Sequence, residues 1–128
     1  MRFKNILDCL DPKPLGMTTG QIMDSDITFS SVYDEKSNNA RLFFKYIPKV
    51  NTGGWRALAN ERRPWLKVDF QEAALIVAVA TQGIDPSPFD PFVWTKSYSL
   101  TYRNSGGQFI TYKSNKVRSF ISLIFYHF

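Results

Sequence analysis

The sequence predicts an all-β domain built as a β-sandwich. Trp65–Phe70 alternates, with Leu66, Val68 and Phe70 on one face and Trp65, Lys67 and Asp69 on the other. That is the period of a half-buried strand. Ala73–Ala80 is then eight apolar residues without a break. It carries Ile76, Val77 and Val79, whose stiff β-branched side chains favour strands. A buried helix looks similar over so short a run, but the turn-like Thr81-Gln82-Gly83 that ends it favours a central core strand. Finally, the remaining strand-like runs are separated by turn-rich loops at short spacing, with no amphipathic helix between them.

In chain order, Asp11–Gly16 is expected to be extended or turned, because Pro12 and Pro14 exclude a helix. Met17–Asp24 is a loop that leads into a short alternating strand, Ile27–Ser30. Ser31–Asn39 is polar and turn-rich and forms a surface loop. Ala40–Phe44 is a short helical or extended piece. Lys45–Gly54, with Pro48 and Gly53-Gly54, is a second loop, and Trp55 follows it. Ile84–Val93 contains Pro86, Pro88 and Pro91, which bar regular structure, and makes a third loop. Trp94–Tyr102 alternates, with Trp94, Lys96, Tyr98, Leu100 and Tyr102 on one face. Asn104–Gly107 is a hairpin turn by composition, and Phe109–Tyr112 is the return strand.

A length of 128 residues suits one domain, and 44% apolar and 16% aromatic content supports a core. No apolar window is long enough for a transmembrane helix. Met1–Leu10 does not read as a convincing signal peptide, since Asn5 and Asp8 interrupt its apolar residues. The net charge of +5 arises entirely after residue 90, from Lys96, Arg103, Lys113, Lys116 and Arg118. It forms neither a concentrated basic face nor a known module, which argues against a nucleic-acid partner. Cys9 stands alone, so neither an internal disulfide nor a cysteine metal cluster is expected. The only histidine, His127, is the penultimate residue, where chains fray. No carboxylate pair is marked for acid–base work, and no glycine-rich phosphate loop is present. Catalytic residues and a bound metal are therefore not expected. Asp85 and Asp90 in the third loop leave Ca²⁺ as the one open cofactor.

Eight pieces of sequence occur in one order with compatible spacing: Pro14–Met17 with Gly20, Ile22 and Asp24; Ile27-Thr28 with Ser30-Ser31; Ala40-Arg41-Leu42; Gly54-Trp55; Trp65–Phe70; Val79–Gly83; Trp94-Thr95; and Ser97-Tyr98. Together they resemble a discoidin domain, also called the coagulation factor 5/8 type C domain. The resemblance covers about Cys9 to Tyr112 and sets a domain at 9–113, with 114–128 as an apolar, basic tail of uncertain structure. It implies a jelly-roll β-sandwich of the galactose-binding-like class. It also implies a non-catalytic binding and adhesion module, extracellular or at the cell surface. The expected partner is a glycan, a cell-surface or matrix protein, or an anionic phospholipid surface. Binding would run through three loops at one end of the sandwich, with Val32, Tyr33, Lys45, Lys49, Phe89, Asp90 and Phe92 as the candidate residues. Phe89 and Phe92 supply an apolar tip, and Lys45, Lys49, Arg62 and Arg63 supply charge. Trp55, Trp65 and Trp94 are expected to pack in or near the core. Arg41 and Asp69 are expected to pair across the sandwich, with each other or through Arg56.

The sequence departs from the family twice. The resemblance implies a disulfide from Cys9 to the domain's end, and no second cysteine exists. The family's domain also runs several strands past the Tyr112 hairpin. The expectation is therefore a C-terminally truncated sandwich, or else a final strand, Phe120–Phe128, joined directly to the hairpin. An inactive or unstable fragment of a larger discoidin-domain protein is the alternative to a working module.

Overall fold

A computed structural model of the chain describes residues 13–34, 39–88, 93–103 and 107–113, together with the backbone of 122–127. The described strands are β1 (Ile27–Phe29), β2 (Trp65–Val68), β3 (Tyr98–Arg103), β4 (Phe109–Thr111) and β5 (Ser122–His127). They form one antiparallel sheet in the order β1-β2-β5-β3-β4. The last strand thus returns to the centre, between β2 and β3, neither of which precedes it directly in the chain. Greek-key and jelly-roll folds share this kind of crossover.

The alternation in Trp65–Phe70 does what its period dictates. Leu66 and Val68 are buried and Trp65 and Lys67 are half-buried. Leu66 and Val68 join Ile22 and Ile27 in the core, with Met17, Phe29, Ala40, Trp55 and Phe70 packed against them. Register continues that face across the sheet. Ile27, Val68, Leu123, Tyr102 and Ile110 stand in one row, and Phe29, Leu66, Phe125 and Leu100 in the next.

Two polar residues lock β1 in place. Asp26 accepts from the Met23 amide at 3.2 Å and from Gln71 Nε2 at 2.7 Å, while its carbonyl accepts the Asp69 amide at 2.8 Å. Arg41 donates to the Met17 carbonyl at 2.9 Å, to the Ile22 carbonyl at 2.7 Å and to Asp24 Oδ1 from Nε at 2.9 Å. The expected pairing of Arg41 with Asp69 or through Arg56 is therefore corrected. Asp24 lies nearer in the fold, Asp69 Oδ1 accepts the Gln71 amide at 3.0 Å, and Arg56 lies over the Tyr33 ring.

Other expectations need correction. Ala73–Ala80 is not a core strand: only Leu75 makes an isolated bridge, and Ala73, Val77, Ala78 and Ala80 are exposed. β1 and β5 occupy both edges of β2, so this apolar run has no ladder to join there. Trp94 is 58% exposed, because β3 starts only at Tyr98 and leaves it outside the sheet. Trp55 stacks on Phe29 with ring centroids 5.4 Å apart, and Trp65 is half-buried. Residues 122–127 fall in the stretch that the sequence sets apart as a tail, yet they form β5, and His127 pairs with Tyr98 instead of fraying. An apolar, β-prone run satisfies its backbone best between two open strand edges.

Candidate functional site

The three loops meet around one strap, residues 51–56. At its start Asn51 Oδ1 accepts the amides of Ile47 at 3.2 Å and Gly53 at 2.9 Å. The Gly53 carbonyl accepts the Asp85 amide at 3.2 Å, which brings the third loop in. At the strap's end the Tyr33 amide donates to the Arg56 carbonyl at 2.7 Å, and Trp55 Nε1 donates to the Ser31 carbonyl at 2.9 Å. These bonds carry the root of the first loop. Glu61 reinforces it: Oε2 accepts Ser30 Oγ at 2.9 Å and also Ser31 Oγ.

Asp85 is the hinge between the second and third loops. Its Oδ2 accepts the Tyr46 amide at 2.8 Å and its Oδ1 accepts Lys45 Nζ at 3.1 Å. The Tyr46 amide first, and the Lys45 ammonium after it, hold its carboxyl below the usual carboxylate value. Both oxygens are thus engaged within the protein, tying the second loop to the third. Among the described residues no group of three or more metal-ligating side chains comes together. A depressed folded-state value means that the interaction stabilises above the ordinary aspartate value of about 3.9, and is lost as pH falls through the lowered one. Urea midpoints of the parent and Asp85→Asn should therefore differ at pH 7 and converge as acidification carries Asp85 below its lowered value. A gap that persists in acid would show that Asp85 acts by some means other than its charge.

The second loop ends in a tight turn. The Val50 and Asn51 amides donate to the Ile47 carbonyl at 3.0 and 3.1 Å, bracketing Pro48 and Lys49. Lys49 takes φ of 65°, a left-handed conformation uncommon outside glycine. Ile47 is 50% and Val50 60% exposed, and Phe43, earlier in the same excursion, is 72% exposed with φ of 61°. Strained backbone presenting apolar side chains to water recurs at binding sites.

Of the residues expected to bind, Val32 is half-buried, and Tyr33 is exposed with the Arg56 guanidinium 4.9 Å from its ring centre. Lys45 is exposed but tied to Asp85, and Lys49 is exposed on the turn. Phe89, Asp90 and Phe92 lie outside the described residues. The root of their loop is closed by the Ile84 amide on the Val93 carbonyl at 3.0 Å. Sequence reasoning missed Phe43, Ile47 and Val50. The signal was present as Ile47-Pro48-Lys49-Val50, two apolar residues flanking a turn instead of alternating in a strand.

A strand-dominated chain with a returning central strand and loops bundled at one strap is consistent with an all-β jelly-roll domain. No family model matches the chain. It is 32% identical over 104 residues to coagulation factor V of Bos taurus, across 78% of this chain and 4% of that protein. It is 30% identical over 104 residues to EGF-like repeat and discoidin I-like domain-containing protein 3 of Mus musculus, across 78% and 21%. It is 30% identical over 107 residues to lactadherin of Rattus norvegicus, across 79% and 24%. The chain therefore spans between 4% and 24% of the length of these relatives. It belongs to the discoidin, or coagulation factor 5/8 type C, domain family.

Proposed function

We propose that this chain is a non-catalytic binding module of the extracellular or cell-surface space that takes an anionic membrane surface. The observation that carries the proposal is the second-loop turn, where Ile47 and Val50 stand exposed beside Lys45 and Lys49. Apolar side chains on a stiff turn enter the headgroup boundary, and flanking cations draw the protein to acidic lipid. The proposal extends to Phe89 and Phe92 as a second apolar anchor, with Asp90 between them. A second reading, a glycan or matrix protein held at the first loop, is favoured by Tyr33, which is 51% exposed beside Arg56.

Co-sedimentation with phosphatidylserine-containing vesicles tests the membrane reading. Replacing Ile47 and Val50 by Ser should lower partitioning about ten-fold or more at any salt concentration. Replacing Lys45 and Lys49 by Ala should lower it by roughly 1 kcal/mol per charge, and only at low salt. A parent chain that ignores anionic vesicles but binds a glycan array through Tyr33 would overturn the membrane reading in favour of the second.

A further inference from the structure

We propose that β4 is a docking edge for a second copy of this chain, joined strand to strand about a two-fold axis at Ile110. Among the described residues β4 pairs with β3 alone, so its other side ends the sheet. Natural sheet edges are blunted by charges, by proline or by a covering segment. Phe109–Tyr112 carries no charge and no proline, and all of its residues are exposed. At the sheet's other edge β1 is enclosed, with Ile27 buried and Phe29 half-buried.

Hydrogen-bond alternation fixes what this edge offers. The Tyr112 amide donates to the Leu100 carbonyl at 2.7 Å, and Ile110 faces Tyr102 in the same register. In an antiparallel ladder every second residue turns its backbone groups toward a given neighbour. Ile110 and Tyr112 therefore face β3, and the amides and carbonyls of Phe109 and Thr111 point outward. A two-fold axis through Ile110 sets Phe109 of each copy against Thr111 of the other, so these outward groups satisfy one another. Ile110 then meets its own copy in the close, non-hydrogen-bonded pair, with Cα atoms about 4.5 Å apart. The side chains point to a copy as the occupant. Ile110 and Tyr112 lie on the face of the sheet that carries the core and Phe109 on the opposite face, yet they are 37%, 45% and 57% exposed. An added strand must thus be apolar on both faces. The half-buried strand of an ordinary partner is apolar on one face only, whereas β4 matches itself on both. Charge agrees. Lys113 falls opposite Gly107 of the copy, which leaves the two ammonium groups roughly 20 Å apart, beyond the screening length.

Sedimentation velocity of the full-length chain at micromolar concentrations should show a monomer–dimer equilibrium. Ile110→Lys sets like charges against each other across the axis and should weaken association about ten-fold or more. Ile110→Glu should do the same. An equimolar mixture of these two variants should associate again, which misfolded chains would not do. Val77→Lys, at an exposed apolar residue of the 73–84 segment, should associate like the parent. A Cys9→Ser background removes the other thiol. In it, Ile110→Cys should form a disulfide-linked dimer with oxidised glutathione. Thr111→Cys should not, because its two copies stand diagonally across the ladder, about 7–8 Å apart. A parent that stays monomeric would overturn the proposal. So would a mixture of the two charged variants that stays apart, equal weakening by Val77→Lys, or cross-linking through position 111 in place of 110.

Discussion

Arg41→Ala is expected to destabilise the domain by about 2–4 kcal/mol, read as a lower urea midpoint with an unchanged slope. The reason is geometric more than coulombic. The Asp24 side chain is 87% exposed, so losing the ion pair leaves no buried charge and contributes little. The larger loss is at the carbonyls of Met17 and Ile22, which receive two charge-assisted bonds from the guanidinium. Those carbonyls fold the segment that delivers Ile22 to the core beside Ile27 and Val68. Arg41→Lys separates charge from geometry. One ammonium cannot reach two carbonyls and a carboxylate in the planar fork that a guanidinium presents. The lysine variant should therefore lose most of what alanine loses. A lysine variant close to the parent would mean that the ion pair carries the effect. Asp24→Asn, by the same reasoning, should change stability by less than about 1 kcal/mol.

The Arg41 hub also shows where a sequence stops being readable. Local period was enough for β2, because Leu66 and Val68 needed only an alternating pattern to declare their face. It was enough for β1 and for the pairing of β3 with β4 across the turn. It failed where an element depends on which neighbour is free. Ala73–Ala80 is a continuous apolar run carrying Ile76, Val77 and Val79, but a strand is defined by its ladder, and both edges of β2 are taken. The same fact, seen from the other side, explains β5. Its run carries no stronger signal, yet it finds β2 and β3 open and becomes the central strand. In β3 the alternation of Tyr98, Leu100 and Tyr102 suggests one buried face, whereas the residue most enclosed is Thr101, at 5% exposed. A sheet with contacts on both sides hides that distinction from a period of two. At the loops, position was readable from proline, glycine and polar composition. The strap was not, because its bonds join residues far apart in the chain, such as Gly53 to Asp85 and Tyr33 to Arg56.

Gly53→Ala is the substitution expected to test whether the strap organises the binding end. Gly53 has φ of +81°, which for an L-residue costs about 1–2 kcal/mol. A Cβ at Gly53 would also stand 2.7 Å from the Asp85 carbonyl oxygen and 3.2 Å from its amide. Both are backbone atoms, so no rotamer change relieves the contact. The strap must move, and the bond from the Asp85 amide to the Gly53 carbonyl must lengthen or break. Gly20 and Gly107 are the controls. They take φ of +80° and +78°, and a Cβ on either meets nothing within 4 Å. Gly20→Ala and Gly107→Ala thus carry the conformational cost alone, about 1–2 kcal/mol each. Gly53→Ala should lose about 2–4 kcal/mol, the excess being the close approach. Its second effect should separate it from a general loss of stability. At a temperature where all three variants remain folded, only Gly53→Ala should lose affinity for anionic vesicles, because only it releases the second loop from the third. Equal affinity in the three variants would mean that the exposed turn at Ile47–Val50 acts without its anchor on Asp85.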